Sequence, residues 1–501
     1  MLEHILILLP LLLTLTLALI VRHTLLALSV GILSGSIIVN QFHLIDSGKY
    51  LVSAITEQFY AQGQWQAWHL NILAAMILLG VMTQLLTRGG AVKAFADWLY
   101  LRIKSDRQAR LGVVVLGWIV FIDGIFSCLT VGHVCQPLSE RYQLTKAQIA
   151  YLVDSNASPL CALLPFSSWG PYVMAILATI TFLPTSPLEA FIQIATLNFY
   201  SITVLFLSLL VAWFGIGFSA KPTRKQAIKP NKQPVTKTDV ATGNPWLLGI
   251  PMLSLLIGSI GFTLYSGITQ SHSMQISQWL GAADIGNAMK NACLLATIIT
   301  ILMLKYGGRS SIALLKDMKS GVQVISFAVM ILLCTWLIGA VINDLGVGKL
   351  LASWATLFLS QNMLVAGAFL LCALMAFTTG SSWGTFAIMI PLGAQIASAV
   401  DINLLLPVLS AVMSGSVFGD HCSPISDTSV LSATSSGCAP HEHVITQLPF
   451  ALIAATSTLV GFQMINLHLP PIVALISTLI LAGGLMALLQ KRHLLSTKTL
   501  S

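Results

Sequence analysis

Of the 501 residues, 56% are hydrophobic and only 8% charged, where a soluble domain carries about 25%. With a mean hydropathy of +0.86, this excludes a soluble globular protein and indicates a polytopic helical protein whose surroundings are a lipid bilayer. The net charge of +8 implies no nucleic-acid partner, because Lys and Arg gather between apolar runs, where the positive-inside rule places them.

The first apolar run, residues 5–20, follows Glu3 and His4 instead of a basic region and has no small-residue cleavage site, so it reads as a retained span. Further runs of spanning length lie at about 24–41 and 69–87. The basic amphipathic stretch that follows, with Arg88, Lys93, Arg102, Lys104, Arg107 and Arg110, belongs in the cytoplasm, which puts the N-terminus outside. Residues 111–139 are long for one span and short for two, carry Asp123-Gly124 in their middle and have basic flanks. They read as a re-entrant hairpin dipping in from the cytoplasm, with one long tilted helix as the rival.

Residues 149–180 are interrupted by Asp154, Asn156, Ser158, Pro159, Pro165 and Gly170-Pro171, the marks of a discontinuous helix. A span at about 190–216 follows. Lys221, Arg224, Lys225, Lys229, Lys232 and Lys237, interspersed with Pro222, Pro230 and Pro234, form a basic cytoplasmic linker over 219–245. It separates a first transmembrane repeat, 1–218, from a second, 246–466.

The second repeat has spans at about 246–267, 285–305 and 321–342, with a basic 306–320 loop inside. An amphipathic stretch at 345–360 then falls outside. Residues 364–400 form a second hairpin, entering from the outside around T-T-G-S-S-W-G-T. A broken segment at 404–435 and a span at 447–465 complete the order. An additional span at 471–489, within a C-terminal segment 467–501, ends at Lys491, Arg492 and His493, on the cytoplasmic side of the inner membrane. The expected fold is therefore an all-α polytopic membrane protein with two inverted-topology repeats, each holding a re-entrant hairpin and a discontinuous helix, the signature of a secondary transporter.

The costliest stretch is 412–449, which sets Asp420, Asp427, eleven hydroxyl-bearing residues, three Gly and three Pro between apolar runs. An ionisable group at membrane depth costs at least about 2.5 kcal/mol, and broken backbone is tolerated there only where it lines protein or water. The 420–427 half reads as an ion or substrate site. The 435–443 half reads as a loop, which argues against a metal site at His441, Glu442 and His443. The Trp in each S-S-W-G, Trp169 and Trp383, reads as packing at a break. Asp284 and Asp344 lie at span ends and read as interfacial. The eight Cys form no CxxC pair and read as free thiols.

F-G-D-H-C-S-P-I-S-D-T-S-V-L-S-A-T, followed by H-E-H-V-I-T-Q-L-P-F-A, closely resembles the NhaC family of Na+/H+ antiporters. F-I-D-G-I-F-S-C-L-T-V-G, A-Y-L-V-D-S-N-A-S-P and T-G-S-S-W-G-T-F-A-I-M-I-P are similar to other motifs of that family. The resemblance covers nearly the whole chain. It implies the ion-transporter fold, sodium binding with proton exchange, and a homodimer. Family members often carry a second carboxylate where this chain has Gly124.

Sodium takes oxygen ligands, and the motifs supply two candidate clusters for ion binding and proton coupling. One is Asp123, Asp154, Asn156 and Ser158. The other is Ser381, Ser382, Asp420, Ser423, Asp427 and Thr428. Na+ and H+ would be cargo, and no cofactor is expected. The alternative substrate is a small organic anion or amino acid, as in malate/lactate exchange. No membrane-embedded Lys or Arg is evident to clamp a carboxylate, which favours the small cation, although helix N-termini bind anions unaided. An intramembrane enzyme would need a nucleophile with its base or a HExxH-like site, and an ATP-driven pump a P-loop; neither is present.

Overall fold

Side-chain caps at chain breaks cut the apolar runs into defined helices. A computed structural model describes residues 2–21, 24–142, 144–216, 244–271, 282–347 and 361–498, with single positions at 275, 278, 279 and 350. The first half contains α1 (Leu2–Val21), α2 (Thr24–Val39), α3 (Leu44–Glu57), a minimal antiparallel ribbon of β1 (Tyr60–Ala61) with β2 (Gln64–Trp65), α4 (Ala67–Arg88) and α5 (Ala91–Tyr100). It continues through α6 (Asp106–Ile119), α7 (Gly124–Tyr142), α8 (Lys146–Asp154), α9 (Ser158–Cys161), α10 (Trp169–Leu177), α11 (Pro187–Thr196) and α12 (Phe199–Phe214).

The second half contains α13 (Trp246–Ser271), α14 (Ile285–Tyr306), α15 (Ser311–Asp344), α16 (Gln361–Thr379) and α17 (Ser382–Val400). After a 3-10 turn at Ile402–Leu404 come α18 (Leu405–Cys422), α19 (Asp427–Ser435), α20 (Pro440–Asn466) and α21 (Pro471–Lys498). Eight helices among the described residues are long and apolar enough to cross a membrane, or nine when the bent pair α11–α12 counts as one span. The chain is a multi-pass membrane protein.

Both hairpins form, and neither segment is one uninterrupted helix. In the first, α6 and α7 are separated at 120–123, and the Tyr142 hydroxyl at the end of α7 donates to the Ile103 carbonyl just ahead of α6, at 2.7 Å. The chain thus returns to the side from which it entered. In the second, the turn is Gly380, in the left-handed region at φ +67°, followed by Ser381, which caps α17. Contacts with α18 give the directions. Positions 415 and 419 lie against the carbonyls of Phe369 and Ala373, so α16 runs alongside α18 in the same sense. Ser382 meets the carbonyl of Ser416 while Gly393 meets Val412 and Val408, so α17 runs back. Gly415 and Gly419 make the approach feasible: a Cβ at Gly419 would lie 2.1 Å from the Ala373 oxygen.

The discontinuous segments are built the same way. Thr145 caps α8 through Gln148 N, and Ser426 caps α19 through Ser429 N. Between them the chain breaks at 155–157 and at 423–426. Large side chains, including Trp169, Tyr172, Tyr200 and Phe369, are fully or almost fully buried around these breaks.

Several expectations change. The span at about 190–216 is two helices bent by 50° at residues 197–198, where Asn198 caps α12 through Ser201 N. The stretch between the runs at 24–41 and 69–87 holds α3 and a β-ribbon. The 306–320 loop shrinks to 307–310, because α15 extends back through Lys316 and Lys319. The 435–443 stretch is a loop only at 436–439. Pro440 starts α20, since proline is well tolerated in the first helical turn, and His443 is therefore helical and buried. Most of the linker and of the 345–360 stretch lies outside the described residues.

Candidate ion site

Two half-helices end at one place inside the protein. α8 terminates at Asp154 and α18 at Cys422, and the Ser155 hydroxyl lies 3.3 Å from His421 Nε2, so the two C-terminal ends meet. Each such end carries roughly −0.5 elementary charge from its unpaired carbonyls. Asp154 and Asp420 sit in the last turns of these same helices, 0% and 4% exposed. The spot is strongly biased towards a cation.

The carboxylate of Asp154 is held entirely by the second half of the chain. Ser429 Oγ donates to Oδ2 at 3.0 Å and Ser432 Oγ to Oδ1 at 3.3 Å. From α20, His443 Nε2 lies 3.2 Å from Oδ2, and Gln447 Nε2 donates to it at 2.7 Å. His421 Nε2 stands further off, at 3.9 Å, and its other ring nitrogen pairs with the Tyr200 hydroxyl at 2.9 Å.

Asp420 has different company. Ser426 Oγ donates to Oδ1 at 2.7 Å and Thr428 Oγ1 to Oδ2 at 3.5 Å, with the Ser382 hydroxyl beside them and the charges of Asp154 and Asp427 within electrostatic range. Its neighbours are hydroxyl oxygens, which can turn a lone pair to a cation by rotating a proton away. Asp154 also has two hydroxyls, from Ser429 and Ser432, but its Oδ2 is shared with the Gln447 amide nitrogen, which cannot do so, and with the His443 ring. Asp420 therefore has the oxygen set that a hard cation takes.

Asp123 forms a third centre. It caps α7, accepting from Phe126 N at 3.0 Å, and it accepts from Ser168 Oγ at 2.7 Å. The next residue, Gly124, packs where three elements converge: a Cβ there would lie 3.2 Å from Ser158 Oγ and 3.7 Å from Thr428 Cγ2.

The structure groups the expected residues differently from the two clusters inferred from sequence. Asp154 joins α19 and α20 instead of Asp123, Asn156 and Ser158. Asn156 turns away, accepting from Trp118 Nε1 at 2.7 Å and donating to Ser208 Oγ at 3.1 Å. Ser158 Oγ is buried with no hydrogen-bond partner among the described residues. Ser381 caps α17, and Ser423 Oγ donates to the Phe377 carbonyl at 2.7 Å, tying the break to the hairpin. Asp427 is exposed in the first turn of α19. Of the second cluster, Ser382 and Thr428 lie beside the Asp420 carboxylate, and Asp427 acts on it only through its charge. The two S-S-W-G tryptophans, Trp169 and Trp383, meet edge to face at 5.9 Å, and the Tyr172 hydroxyl donates to the Trp383 carbonyl.

Sequence reasoning missed Ser426, Ser429, Ser432, His443, Gln447 and Ser168. A signal existed for most of them. Ser426, Ser429 and Ser432 recur every three residues, and His443 and Gln447 are four apart, so each set lies on one helical face.

These features can be set beside known proteins. A profile described as the Na+/H+ antiporter family matches residues 160–467. The chain belongs to the Na+/H+ antiporter family. A Haemophilus influenzae protein of undescribed activity is 34% identical over 467 residues, 91% of this chain and 90% of its own. The malate-2H(+)/Na(+)-lactate antiporter of Bacillus subtilis is 28% identical over 158 residues, 31% of this chain and 32% of its own. The solved structure of the Alcanivorax borkumensis YdaH transporter has the same fold, with a TM-score of 0.58, 17% identity, and coverage of 85% of this chain and 90% of that one. As a member of this antiporter family, the chain is a secondary transporter.

Proposed function

We propose that this protein exchanges cytoplasmic Na+ for external protons across the inner membrane by alternating access. Na+ binds at Asp420 with Ser426, Thr428 and Ser382, and the proton is carried at Asp154. One observation supports the reading above the others: two buried carboxylates stand at converging half-helix C-termini, one with only hydroxyl side-chain partners and the other with two hydroxyls, an amide nitrogen and an imidazole nitrogen. A carboxylate so buried needs a compensating charge. Na+ supplies it at Asp420 and a proton at Asp154, and because the two carboxylates act on each other electrostatically, filling one site disfavours filling the other, which couples the exchange.

In this reading the N-terminus lies outside, the 219–245 linker and the C-terminus lie in the cytoplasm, and 1–218 and 246–466 act as inverted repeats. A second reading, Na+-linked exchange of a small organic anion, is favoured by the likeness to the malate/lactate antiporter. Against it, the hydrogen-bond partners of Asp123, Asp154 and Asp420 among the described residues include no Lys or Arg. Purified protein in proteoliposomes separates the two. Na+-driven proton flux without organic solute supports cation exchange, and flux that requires malate, lactate or an amino acid supports the second reading.

A further inference from the structure

Gln447 on α20 is 0% exposed, and its amide nitrogen reaches two acceptors from different halves of the chain. It donates to Asp154 Oδ2 at 2.7 Å and to the backbone carbonyl of His421. Both partners only accept. An ionised carboxylate has no donor, and a carbonyl in the last turn of a helix has no partner within that helix. One NH2 group with two hydrogens meets both needs. Gln447 Oε1 is buried without a hydrogen-bond partner among the described residues. Exchanging the amide oxygen and nitrogen would set an oxygen against two acceptors, so the chemistry of the partners fixes the orientation. His443, one turn earlier on the same face, approaches the same Oδ2. His421 adjoins Asp420, so Gln447 stands between the two carboxylate centres.

We propose that Gln447 is a positioning residue that couples those centres. By holding Asp154 Oδ2 and the 421 carbonyl with one amide, it fixes the end of α18 that carries Asp420 and makes Na+ affinity there depend on Asp154. The inference rests on the Na+/H+ reading and adds a residue that touches no ion.

The test is Na+ binding to the purified protein in detergent, measured by calorimetry. Gln447→Met keeps the length and removes both donors, whereas Gln447→Glu keeps the shape and offers oxygens to two acceptors. The Na+ Kd rises ~10-fold with Met, as loss of a hydrogen bond to a charged group predicts, and further with Glu. With Asn at 154, Gln447→Met changes Kd less than ~2-fold, because the coupled partner is altered. Wild-type Kd for both Met and Glu, or an equal effect of Met in both backgrounds, overturns the assignment. Should the Met variant not be monodisperse, Gln447→Glu with and without Asp154→Asn decides in the same way. Absence of Na+ binding by the wild type removes the Na+/H+ reading itself. Na+ binding by the wild type with unaltered variants removes Gln447 alone.

Discussion

At the scale of single residues, charge separates site from scaffold. Asp420→Asn keeps size and hydrogen bonding and removes the charge proposed to balance Na+. A loss of about 3 kcal/mol corresponds to a ~100-fold fall in transport, measured as Na+-dependent proton movement, with the protein still inserting normally. Asp154→Asn has a comparable effect, because the four side chains around Asp154 then meet a neutral amide. Asp284→Asn changes little: Asp284 caps α14 through Asn287 N, and Asn caps a helix equally well. The Asp residues were legible in the sequence because a carboxylate inside an apolar run is conspicuous. Their partners were not. Ser429, Ser432, His443 and Gln447 lie more than 270 positions from Asp154, and nothing local in either segment records that pairing.

At the scale of elements, breaks and close approaches define the transport machinery. Gly419→Val places a side chain where even a Cβ would lie 2.1 Å from the Ala373 oxygen. Overpacking of this kind costs about 3 kcal/mol or more, so the melting temperature in detergent drops by several degrees, and Gly419→Ala shows a smaller drop. An unchanged melting temperature for the Val variant would mean that α16 and α18 do not pack as described. The hairpins were readable from length alone, since residues 111–139 and 364–400 suit neither one span nor two. The bend at 197–198 was not, because Asn198 lies within an otherwise apolar run and its capping role depends on backbone geometry. The start of α20 was misread as loop because Pro440 and the polar residues after it resemble a turn, whereas proline suits a first helical turn.

At the scale of the whole molecule, the fold matches a known transporter architecture, and the order span, hairpin, broken helix and span was visible in composition and charge. The proposed orientation rests on Lys and Arg placement. A Cys introduced at position 232 in the linker is labelled by a membrane-impermeant maleimide only from the cytoplasmic face; labelling from the outside would reverse the topology. The proposed exchange of Na+ and a proton through the buried carboxylates is read out most directly by proton flux in proteoliposomes containing only this protein, under an imposed Na+ gradient between about pH 6 and 9. Proton movement opposite to Na+ is expected, lost in Asp420→Asn and in Asp154→Asn. Na+-dependent proton flux at wild-type rates in both variants, or none in the wild type, would contradict it.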